Sequence, residues 1–196
     1  MRRFAKYAAL TLFVVAFLTA CATKAPREEA RQKPALLENV YLANNIHMQD
    51  EGRYATASYA NWTDCDRHEI LPVNTPVTIR NWGNGFVILS QGEDKRTVYF
   101  EYDRRRMEMS VEQYLEEITE LQKIDIGSLS AVDKKGIERG EARQGMSKRG
   151  VRIALGYPAR HETPSLDDHV WTYWTNRWGR YNVIFDSSGS VQRIEN

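Results

Sequence analysis

The chain has 196 residues, with 27 basic and 26 acidic side chains, 42% hydrophobic residues and two cysteines. Residues 1–20 hold Arg2, Arg3 and Lys6 and no acid, so without them 24 basic groups face 26 acidic ones, a net charge of about −2. That balance leaves no electrostatic footprint for nucleic acid, which is excluded as a partner.

The basic start is followed by an apolar run, Tyr7 to Leu18, too short to span a bilayer comfortably and built like a secretory signal. It ends in Leu18-Thr19-Ala20-Cys21, a bacterial lipobox in which Cys21 is the lipidation site. The thiol takes a diacylglycerol, the peptide is cut ahead of it, and the new amine receives an acyl chain such as palmitate. Several acyl chains give stable anchoring where one is marginal. Ala22 is not the aspartate that favours inner-membrane retention, so the expected address is the outer membrane, on its periplasmic face. Residues 21–38 are polar, contain Pro26 and Pro34, lack an apolar period, and read as a flexible tether.

From Val40 to Asp103, short apolar runs alternate with turn residues. Strands are predicted at 40–48, 54–62, 76–81, 86–90 and 97–102, with Asn84-Gly85 and Gly92 as turns. Such spacing predicts a small β-barrel or roll over residues 39–109. Within it, Ile70-Leu71-Pro72-Val73-Asn74-Thr75-Pro76-Val77-Thr78-Ile79 resembles the leucine-proline turn that opens an SH3-like barrel. The resemblance implies a partner-binding or cell-wall-binding domain.

Ser110 to Gln113 has the form of a capping box, and Val111, Tyr114, Leu115, Ile118 and Leu121 follow at helical spacing. Glu112, Glu116, Glu117 and Glu120 occupy the opposite face. This predicts an amphipathic helix that links two halves within residues 110–127. Gly127-Ser128 marks a boundary, and a short helix is expected over 131–137. Next, Ser147 can cap a helix whose apolar stripe is Val151, Ala154 and Leu155, which Gly156 in a left-handed conformation and Pro158 should end. Alternation then predicts strands at 169–175, 181–185 and 191–194, the last two joined by a turn at Asp186 to Gly189.

Gly145-Met146-Ser147, Val151, Leu155-Gly156-x-Pro158, Trp171-x-Tyr173 and Phe185-Asp186-x-x-Gly189-x-Val191, with Ile137-x-x-Gly140 upstream, resemble the SmpA/OmlA (BamE-like) family of outer-membrane lipoproteins. The resemblance covers residues 128–196. It implies an αα-βββ module with a three-stranded antiparallel sheet, and association with anionic lipid or with the β-barrel assembly complex. The expected fold class is therefore α+β: an SH3-like small β-barrel, a helix, and a BamE-like module.

Three groups of residues are candidates for chemistry or binding. Cys65 and His68 are close enough in sequence for a nucleophile and base or for two metal ligands, but neither a triad nor a ligand set is visible around them. No catalytic residue, metal or cofactor is therefore assigned. Trp171 and Tyr173 point to one face of their strand and Trp174 to the other; the first pair matches the family's core. Trp174, Arg177, Trp178 and Arg180 are candidate partner-binding residues, and for Trp174, Arg177 and Trp178 a seam between the two halves is the alternative. Lys148, Arg149 and Arg152 form a basic helix face, either solvated or in contact with anionic lipid or an acidic partner.

The function expected is non-enzymatic: a lipid-anchored periplasmic scaffold that binds envelope proteins, in or near β-barrel assembly. The alternatives are a cell-wall-binding or enzyme-inhibitor-type module and, behind these, a Cys65/His68 hydrolase.

Overall fold

The hairpin at the centre of the chain shows how local chemistry builds the larger sheet. Strands β5 (Pro76–Trp82) and β6 (Gly85–Ser90) pair antiparallel around a two-residue loop in which Gly83 has φ 54°. The turn thus sits one residue earlier than Asn84-Gly85. Gly85 is glycine for a different reason: a Cβ there would come within 2.1 Å of the Phe100 carbonyl oxygen. The computed structural model describes residues 35–91 and 95–196, and the lipobox with Cys21 lies outside them.

The other strands are β1 (Ala35–Leu42), β2 (Ile46–Asp50), β3 (Ala55–Ser58), β4 (His68–Leu71), β7 (Thr97–Glu101) and the two-residue β8 (Thr119–Glu120). They form one curled eight-stranded sheet in the order β4-β2-β3-β7-β6-β5-β1-β8. Its β3–β7 pair is parallel, and every other pair is antiparallel. The expected strand at 40–48 is two strands, broken at Ala43-Asn44-Asn45, where both asparagines are buried. The last residues of the expected tether are already strand, since β1 starts at Ala35.

Inside the curl, Phe86 and Phe100 stack at 4.5 Å, and the fully buried Tyr114 lies 5.7 Å from Phe100. Tyr114 comes from helix α2 (Val111–Ile118), which follows the short α1 (Arg104–Met107). The capping box is present: Gln113 N–H donates to Ser110 Oγ, and Ser110 N–H donates to Gln113 Oε1. The helix stops at Ile118, because Thr119 turns extended to pair with Leu42. Leu121 therefore leaves the apolar stripe and is 80% exposed.

The rest of the chain is helices α3 (Ala131–Arg139) and α4 (Lys148–Leu155) with strands β9 (Val170–Trp174), β10 (Arg180–Phe185) and β11 (Val191–Glu195). The strands form a separate antiparallel sheet in the order β11-β10-β9. Val151, Ala154 and Leu155 of α4 pack on Trp171, Tyr173, Val183 and Phe185. Burying such side chains contributes about 1.5–3 kcal/mol each. The protein is an α+β fold with a curled sheet and a second, smaller sheet.

The helices approach closely because two positions lack side chains. A Cβ on Gly136 would lie 2.3 Å from Met146 Sδ, and one on Gly150 would lie 2.0 Å from Asp133 Oδ1. Asp133 is buried and accepts from the Ser147 N–H at 2.8 Å and from the Ser130 hydroxyl at 2.8 Å. Its carboxylate thus stands at the N-terminus of α4, where the helix dipole favours negative charge. Gly156 ends α4 with φ 83° and ψ −172°, so it is not the left-handed helical turn expected but an extended mirror conformation open essentially to glycine alone.

Candidate functional site

The two halves meet along a polar seam, and its logic is that of helix ends. The last carbonyls of a helix have no partner within it. Here the curled sheet supplies the donors. Asn45 donates from its backbone N–H to the Ile153 oxygen at 2.9 Å, and from its amide to the Ile137 oxygen at 2.7 Å and the Ala154 oxygen at 3.3 Å. Its own oxygen accepts from the Val73 N–H at 2.9 Å. His47 Nε2 reaches the Ala154 oxygen at 2.9 Å, and Asn61 donates to the Tyr157 oxygen at 2.9 Å. Burial holds the His47 imidazole down at about 4.

Trp174 belongs to this seam. It is 9% exposed, packs with the core of the curled sheet, and stacks on His161 at 5.5 Å. Its carbonyl accepts from Thr63 N–H at 3.0 Å, and Thr175 O accepts from Asp64 N–H at 2.8 Å. The loop after Trp62 is thereby fastened to the end of β9.

Beyond that fastening the β9–β10 turn projects outward. Asn176 Oδ1 accepts from the N–H groups of Trp178 and Gly179 at 2.9 and 3.0 Å, which fixes the turn's shape. Arg177 is exposed, and Trp178 is 88% exposed. Opposite them lie Trp62, Asp64, Cys65 and Asp66, and between the two sides is a cleft of about 460 Å³. An exposed indole and a guanidinium over an acidic wall make a surface suited to a protein partner with both apolar and charged groups. The sequence pointed to the Arg177–Trp178 side. It did not reveal Trp62, Asp64 and Asp66, because Thr63 and Trp174 lie 111 residues apart.

The other candidates are not part of this surface in the same way. Arg180 is paired with Glu162 at 2.8 Å. Lys148 donates to the Leu166 carbonyl at 2.9 Å and lies 5.5 Å from the Trp171 ring centroid. Arg152 crosses the seam to Glu117 Oε2 at 2.5 Å. Of the basic helix face, Arg149 is the member that stays exposed.

Cys65 and His68 do not bond to each other. The Cys65 thiol points to the Met48 carbonyl at 3.8 Å, and His68 Nε2 is 2.9 Å from His47 Nδ1. Burial, then Asp64 and Asp66, push the thiol up, which is opposite to the activation a nucleophile needs. Burial also lowers His68. Among the described residues, no three His, Cys, Asp or Glu side chains come together as a metal site.

Comparisons with protein-family models, with curated proteins and with solved structures gave no match.

Proposed function

We propose that the protein is a lipid-anchored periplasmic scaffold of the bacterial outer membrane that binds envelope proteins, in or near β-barrel assembly. The lipobox ending in Cys21 supports the anchor and the address. The motifs from Gly145 to Val191 support a SmpA/OmlA-like module, preceded by a β domain read as SH3-like. The observation that carries protein binding is Trp178, 88% exposed on a turn held rigid by Asn176. Exposing a large aromatic on a fixed turn costs apolar hydration that a partner removes. Lipidation would raise the local concentration of the surface at the membrane.

The test is a mild-detergent pull-down of the lipidated protein from its own envelope, with a Trp178→Ala, Arg177→Ala variant alongside. Recovery of β-barrel assembly components by the native form, and their loss with the variant, supports the reading. Equal recovery with both forms, or none with either, overturns it.

A further inference from the structure

A second cleft, of about 930 Å³, lies on the outer face of the curled sheet and meets the first at Trp62. Alternation along β7 buries Val98 and Phe100 in the core and turns Tyr99 to this outer face. There Tyr99 meets Trp82 edge-on at 4.8 Å and Tyr54 at 5.3 Å. Trp62 lines the same cleft, and Gly85 contributes backbone but no side chain to its floor. The rim is polar and of both signs: Glu101, Arg104 and Arg105 are all exposed.

We infer that this cleft is an oligosaccharide-binding site. A pyranose ring has an apolar face of C–H groups, which stacks on indole and phenol rings, and an equator of hydroxyls that both donate and accept. The aromatic floor with a rim of carboxylate acceptor and guanidinium donors matches both halves of that chemistry. A proline-rich segment also docks on aromatic-lined grooves, but its prolines carry no N–H, so it offers Glu101 fewer donors than a ring of hydroxyls does. A polyanion is disfavoured by the same carboxylate. The site is separate from the Arg177–Trp178 surface, with Trp62 the one residue that lines both clefts.

Calorimetric titration of the intact chain with chitohexaose, with the core oligosaccharide of lipopolysaccharide, and with a proline-rich peptide tests the proposal. Chitohexaose stands for a cell-wall glycan and the core oligosaccharide for an outer-membrane one. Binding of either sugar, weakened about tenfold by Trp82→Ala and severalfold by Arg105→Ala and Glu101→Gln, is the expected result. Arg105 and Glu101 are surface side chains, so their variants keep the test valid if Trp82→Ala unfolds. Absence of sugar binding, binding unaffected by all three variants, or binding of the peptide alone overturns it. Trp178→Ala leaves sugar affinity unchanged, which separates this outcome from that of the pull-down.

Discussion

His68 donates a hydrogen bond from Nε2 to Nδ1 of His47 across 2.9 Å. The direction follows from the other side of the His47 ring. Its Nε2 faces the Ala154 carbonyl, which can only accept, so Nε2 carries the proton and Nδ1 is the acceptor. One neutral imidazole thus links β4 of the curled sheet to the end of α4. A second proton on His47 has nowhere to go without breaking the bond to His68.

This fixes the sign of a pH dependence. His47 has its affinity for protons lowered by folding, to about 4. Between its ordinary value near 6.5 and about 4, the unfolded chain therefore binds more protons than the folded one. Stability is full above pH 6.5 and falls as pH drops through that window, by about 3 kcal/mol in all. Asp64 and Glu69 beside His68 partly offset the burial that lowers it, so His68 adds in the same direction. Urea titrations at pH 7.5 and 4.5 measure this, and His47→Gln is expected to flatten the difference while lowering stability at both.

Asn45 is predicted to be the most sensitive position of the seam. Asn45→Ala leaves the Val73 N–H without the amide oxygen it faces, while the Ala154 oxygen keeps His47 Nε2 at 2.9 Å and Ile137 O keeps the Gly140 N–H at 3.2 Å. The expected loss is about 2 kcal/mol, from one unsatisfied buried donor and the two hydrogen bonds lost with the amide. Asn45→Asp is the sharper control, because it keeps size and acceptor but loses the donors and sets a carboxylate against two carbonyl oxygens. Both should lower the thermal midpoint, with Asp at least as damaging as Ala at neutral pH.

A third prediction concerns the contact of α3 with α4. Gly150→Ala drives a methyl to within 2.0 Å of Asp133 Oδ1 and pushes the carboxylate off the Ser147 N–H. A loss of about 2 kcal/mol is expected, in the range of overpacking plus a lost cap. Asp133→Ala removes the same cap without the clash, so the double variant should cost less than the sum of the two. A double-mutant cycle by chemical denaturation reads this directly.

How legible these features are in the sequence depends on their range. The capping box at Ser110 and Gln113 is readable because its partners are three residues apart. The alternation that divides Trp171 and Tyr173 from Trp174 is equally local, and each ends in a different core. The end of α2 was not readable, since helical spacing runs on to Leu121 and only the pairing of Thr119 with Leu42 overrides it. Strand β4 was hidden for a similar reason. His68 to Leu71 looks like a polar loop until β2 gives it a partner. The cleft opposite Trp178 is built from segments whose proximity no local pattern encodes.

The caps of α4 have a consequence for how the two halves of the chain depend on each other. His47 and Ala154 lie 107 residues apart, and Asn45 and Ala154 lie 109 apart. A chain that emerges N-terminus first presents these donors long before the helix they complete has appeared. The late segment in turn completes the core of the early one, since Tyr157, Ala159 and Trp174 pack within it. Cut loose as residues 128–196, it would leave the Ile153 and Ala154 carbonyls of α4 without their protein donors, while α3 keeps its own cap at Gly140. Heat or denaturant should accordingly melt both sheets in a single transition, and a fragment of the later half should lose α4 first, from its C-terminal end.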